Sequence, residues 1–159
     1  MGTNYYLEVQ DKTQFKQDCP CCGKSDYIPP NAGRIHIGKA SYGWCFALHV
    51  DAPDIGVLVI QRPTGLVPKD LEGWKEAWSQ PGVRIVNEYG TYLTPEEMLK
   101  IITERTHPNP GDVAHLTEFD YAQNDAVPGP NGLARSKIDF VHCIGHGEGT
   151  WDYCVGEFS

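Results

Sequence analysis

Cys19-Pro20-Cys21-Cys22-Gly23 is the densest group of chemically capable side chains in the chain. Cys19 and Cys22 stand at C-x-x-C spacing, which lets two thiolates grip one ion from a tight turn. Gly23 supplies the positive φ that such a knuckle favours. Cys21 is extra to the pair, because Cys19 and Cys21 alone match a tetrahedral ion less well. Zinc then needs two further ligands. His36 lies fourteen residues beyond Cys22, in a short β-prone stretch, and Cys45 and His49 share one face of the next strand. The expected zinc set is Cys19, Cys22, His36 and Cys45, with His49 the alternative to Cys45. Four protein ligands would make the zinc structural, since no position is left for a water. The competing readings are free thiols and a redox C-x-x-C. The redox reading wants a helix directly after the motif, and Tyr27-Ile28-Pro29-Pro30 is not one.

Three other constellations are weaker. Gly33 to Lys39 matches G-x-x-x-x-G-K, but Ala40 stands where a Mg²⁺-holding hydroxyl belongs, and Ser41-Tyr42-Gly43-Trp44 opens no helix. Nucleotide binding there is not expected. His142, His146, Glu148 and Asp152 could serve a small metal-assisted hydrolase or nuclease as metal ligands or an acid–base pair. The preferred reading is a glycine-rich turn with a histidine at its tip. Lys24, Arg34 and Lys39 offer a basic cluster through which a zinc module could touch DNA. The aromatic residues Tyr5, Tyr6, Trp44, Trp74, Trp78 and Trp151 read as packing rather than as a base-stacking platform.

The elements that must position these groups follow from periodicity. Asn4 to Gln10 alternates as a strand, Arg34 to Ile37 is a short one, and Gly43 to Val50 is a better one. In the last, Trp44, Phe46 and Leu48 share one face, and Cys45, Ala47 and His49 the other. Lys69 to Gln80 has Leu71, Trp74 and Trp78 at helical spacing. Val83, Ile85 and Val86 mark a strand before a turn at Glu88-Tyr89-Gly90. Thr94-Pro95-Glu96-Glu97 is a capping box that starts a second helix ending near Arg105. Residues 106–132 carry seven Pro and Gly breakers, from Pro108 to Gly132, so they read as a long loop. Ser136 to Ile144 and Thr150 to Phe158 read as a C-terminal hairpin within 136–159. The expectation is a single α+β domain over 1–159. It has a mainly antiparallel sheet, about two helices, and a zinc-knuckle-like loop within 1–50.

Composition bounds the function. The chain has 159 residues, with 13 Lys plus Arg against 21 Asp plus Glu, a net charge of −8. That opposes a sequence-independent grip on nucleic acid and suits docking on a basic surface. The start, Met1 to Glu8, has neither the basic region nor the apolar region of a secretion signal. The longest apolar run, around Ile55 to Ile60, is too short to span a bilayer. Six cysteines in such a chain point to metal ligands or free thiols in a reducing cytoplasm.

Several blocks together resemble a set of small bacteriophage and prophage proteins. They are Asn4-Tyr5-Tyr6, the C-x-x-C-G at 19–23, the run from Ile35 through His36-Ile37-Gly38-Lys39 to Trp44, and Asn87-Glu88-Tyr89-Gly90. Gly147-Glu148-Gly149-Thr150-Trp151-Asp152 and the ending Gly156-Glu157-Phe158-Ser159 fit the same set. The chain departs from it at Ala40, where Ser is expected, and in the insertion-like stretch from Ile55 to Gly65. The resemblance implies a zinc-containing phage accessory protein and carries over no catalytic residue. Such a protein is expected to act in the host cytoplasm by binding a host or phage protein, for example a defence effector such as a CRISPR complex.

Overall fold

The computed structural model describes residues 2–41, 45–50, 68–104, 126–128, 133–135 and 151–155. The strands are β1 (Gly2–Val9), β2 (Arg34–Ser41), β3 (Phe46–Val50), β4 (Val83–Asn87), β5 (Tyr92–Leu93), β6 (Ala126–Pro128), β7 (Leu133–Arg135) and β8 (Trp151–Val155). The helices are α1 (Leu71–Trp78) and α2 (Pro95–Thr103), with a 3-10 turn at Thr13–Phe15. One sheet holds all the strands in the order β5-β4-β1-β2-β3-β8-β7-β6. β1 runs antiparallel to both β2 and β4, as does β3 to β2, β5 to β4 and β7 to β6. Among the described residues, only the β3–β8 and β7–β8 pairs are parallel. The class is α+β with a mainly antiparallel sheet, as the periodicity implies.

β1 sets the two faces of the sheet. Tyr5 and Leu7 point into the core, and Asn4, Tyr6 and Glu8 point the other way. The core joins Leu7, Ile37, Phe46, Leu48 and Ile85 of the strands to Leu71, Trp74, Trp78, Met98 and Ile102 of the helices. Trp74 is fully buried, and its indole N–H donates to the His49 carbonyl at 2.7 Å. That bond fixes α1 on β3 and satisfies the one polar group the ring carries. Replacing such a side chain by Ala costs about 3–5 kcal/mol. α1 starts where the Asp70 carboxylate accepts from the Gly73 N–H at 2.7 Å. α2 starts at the expected capping box, with Thr94 and Glu97 exchanging bonds of 2.8 and 3.1 Å.

β2 continues four residues past the expected Ile37, and a bulge explains how. Tyr5 pairs with Gly38 but Tyr6 with His36, so Ile37 is the extra residue. The bulge changes the inward parity of the strand, and both Ile37 and Ala40 become buried. Gly38 is needed there because a Cβ would run into the Ala47 carbonyl oxygen and the Phe46 ring. The G-x-x-x-x-G-K match therefore lies along a sheet strand. Its second glycine serves close strand packing and cradles no phosphate.

β8 has β3 on one edge and β7 on the other, both parallel. A hairpin with the 136–144 stretch would require an antiparallel neighbour. Ser136 to Ile144 and the 55–61 stretch lie outside the described residues, and β6 and its partner β7 fall in and just after the stretch expected to be a long loop. Among the described residues no helix is long and apolar enough to cross a membrane.

Candidate metal centre

The cysteine cluster sits at the tip of a short ribbon-like loop whose base is closed by a single β-bridge. Gln17 donates its N–H to the Tyr27 carbonyl at 2.8 Å, which closes the base. The Cys19 N–H donates to the Lys24 carbonyl and the Gly23 N–H to the Cys19 carbonyl, each at 2.8 Å. This last bond spans five residues and needs a reversal at its end, which Gly23 supplies with φ 71°. The knuckle is thus built by backbone bonds before any ion is considered.

The turn gathers three sulfurs. The Sγ atoms of Cys19, Cys21 and Cys22 all lie within 4.8 Å of one another. Cys19 Sγ and Cys21 Sγ approach to 2.9 Å. Cys19 is half-buried, and Cys21 and Cys22 are exposed. The Cys19 thiol is lowered to about 7, first by the Cys21 side chain and then by the backbone N–H groups of Cys21 and Cys22 directed at its sulfur. The Cys21 thiol is pushed up, because it shares its bonds with the sulfurs of Cys19 and Cys22. Between Cys19 and Cys21, the Cys19 sulfur is therefore the one that ionises more readily. A cation among the three would hold all of them as thiolates. Three sulfurs in one knuckle suit a borderline or soft ion such as zinc.

The remaining expected ligands lie elsewhere. His36 is on β2 with Nε2 3.0 Å from Asn4 Oδ1. Burial, reinforced by the neighbouring His49, lowers its imidazole to about 3. His49 on β3 donates Nδ1–H to the His36 carbonyl at 2.8 Å, and the two rings are 5.8 Å apart. Cys45 is buried just ahead of β3. Among the described residues, the sulfur group closes on Cys19, Cys21 and Cys22, and His36, Cys45 and His49 stand apart from it on the sheet. Cys21 is the member that spacing arguments set aside. Its signal was its contiguity with Cys22, which puts a third sulfur in the same turn.

Asp152 is buried on β8 opposite Ala47. His142, His146 and Glu148 lie outside the described residues. Of the three basic residues, Lys24 contributes its carbonyl to the knuckle, and Lys39 pairs with Asn4 and Ala47 within the sheet. Arg34 Nε donates to Glu8 at 2.8 Å. No protein-family model, curated protein or solved structure matches the chain.

Proposed function

We propose that the chain is a zinc-stapled accessory protein that acts by docking on a macromolecular partner, without catalysis of its own. The observation that supports the reading is the three-sulfur knuckle at the tip of the 17–27 loop, a place where an ion would cross-link a turn that has little core of its own. Zinc is the ion whose chemistry fits thiolates in a knuckle best under reducing conditions.

The docking half rests on a different surface. Tyr89, in the turn between β4 and β5, and Tyr92, the first residue of β5, are 74% and 56% exposed. Glu88 lies in that turn, and Glu96 and Glu97 open the adjoining α2. The Arg84 guanidinium lies 4.1 Å from the Tyr92 ring centroid. The acidic residues of the turn and of the α2 start add negative charge in the same stretch of chain, so the two tyrosines suit a partner with a basic face, with the rings as anchors and the acids steering approach. A chain of net charge −8 adds to that steering. The partner class is a host or phage protein with a basic face, such as the nucleic-acid cleft of a defence effector in the host cytoplasm.

Affinity purification from infected cells tests the reading. Wild type should retain one stoichiometric partner, released by high salt. The Tyr89→Ala/Tyr92→Ala double variant should lose it while staying folded by circular dichroism, less stable by about 1 kcal/mol at most for the lost Arg84–Tyr92 stacking. Retention of the partner by the double variant would overturn the docking half.

A further inference from the structure

A second charged cluster lies away from the knuckle, around Glu8. The Glu8 carboxylate is 1% exposed. It accepts from Lys12 Nζ at 2.7 Å and from Arg34 Nε and Arg84 Nε at 2.8 Å each. One negative charge thus meets three positive ones, and the cluster keeps an excess of positive charge in a chain of net −8. Arg34 belongs to this cluster and also lines an open cleft of about 420 Å³. Lys16 lines the same cleft, Gln14, Gln17 and Asn31 add amide groups, and among the described residues no acidic one lines it.

We propose that this cleft is an oxyanion site that takes a phosphate group, free or carried on a small organic molecule, through Arg34 and Lys16. The geometry favours Arg34 as its anchor. Its Nε donates to Glu8, and the side chain keeps a quarter of its surface exposed, which among the described residues makes its Nη groups available to a ligand. Its guanidinium also rests 5.8 Å from the Tyr6 ring centroid. A guanidinium held in this way pays little entropy on binding. Its planar fork matches two oxygens of a phosphate, whereas Lys16 adds a movable point charge. The volume falls in the range of small-ligand pockets, about 300–1,000 Å³. Asp11, whose carboxylate feels the Lys16 charge, is already held by the N–H and hydroxyl of Thr13.

Amide NMR titration of the metal-loaded full chain tests the site, with sodium chloride at matched ionic strength as baseline. Inorganic phosphate and adenosine monophosphate are the two probes. Saturable shifts should appear at the Gln17, Asn31 and Gly33 amides. Lys16→Gln and Arg34→Lys should each weaken binding about tenfold, the loss of one charge-assisted contact. Lys75→Gln on α1 should change nothing. Equal affinity for the two probes supports a site for free phosphate. Tighter binding of the nucleotide supports an organic phosphate whose remainder lies on Phe15 and Pro29. Shifts that are absent, or that Lys16→Gln and Arg34→Lys leave unaltered, would overturn the assignment.

Discussion

Cys19 Sγ lies 2.9 Å from Cys21 Sγ, although one residue alone separates them in the chain. The Gly23-to-Cys19 backbone bond curls the turn tightly enough to bring this C-x-C pair together as well as the C-x-x-C pair. Cys21 should therefore matter to metal binding as much as Cys22 does. Cys21→Ser is expected to weaken zinc binding by at least about tenfold, measured by competition with a chromophoric chelator. Equal affinity in wild type and Cys21→Ser would remove Cys21 from the ligand set.

Glu8 makes acid stability depend on one carboxylate. Burial alone would raise it, but the bonds from Lys12, Arg34 and Arg84 outweigh that and hold it at about 2, below its ordinary 4.5. The depressed value means that the stabilisation is complete above pH 4.5 and is lost as the pH falls towards 2. Glu8→Gln should cost about 2 kcal/mol at neutral pH, a figure reduced for the solvent screening of its half-exposed partners. Urea unfolding across this pH window should show a steeper decline in wild type than in the variant. Parallel curves would contradict the role of the carboxylate.

His36 gives a second pH signature. Its folded value of about 3 lies below the ordinary 6.5, so the unfolded chain takes up the proton first on acidification. Stability is unaffected above pH 6.5 and falls between 6.5 and 3, by no more than about 1.4 kcal/mol per pH unit. His36→Gln should flatten that slope. The imidazole carbon-bound protons of His36 should not titrate between pH 8 and 5 by NMR, and a midpoint near 6.5 would contradict the burial argument.

Gly38→Ala tests the β2 bulge. The added methyl would meet the Ala47 carbonyl oxygen and the Phe46 ring, and β3 would have to move from β2. The expected cost is about 2–3 kcal/mol or more, the upper part of the range for overpacking. It should be visible as a fall in melting temperature or as insoluble protein. A variant as stable as wild type would refute the close approach of the two strands.

Local signals were legible in the sequence because their causes are local. The Thr94 cap, the alternation of β1 and the glycine of the knuckle each act within a few residues. Partnerships across the chain were not legible. Glu8 meets Arg34 and Arg84 across 26 and 76 positions, and no spacing rule selects those partners. β8 reads as a hairpin strand from its neighbours, yet its register is set by β3, about a hundred residues earlier. The candidate site was half legible. The C-x-x-C-G located the knuckle, but the tightness of its turn, which brings in Cys21, comes from the Gly23 and Lys24 backbone bonds.

Metal content of the purified chain tests the central claim most directly. Elemental analysis combined with native mass spectrometry should find one zinc per chain in wild type, and none in Cys19→Ser prepared alongside it. Wild-type protein that folds with the same ribbon, protects its Cys19 and Gly23 amides from exchange, and holds no metal even after incubation with zinc would contradict the account.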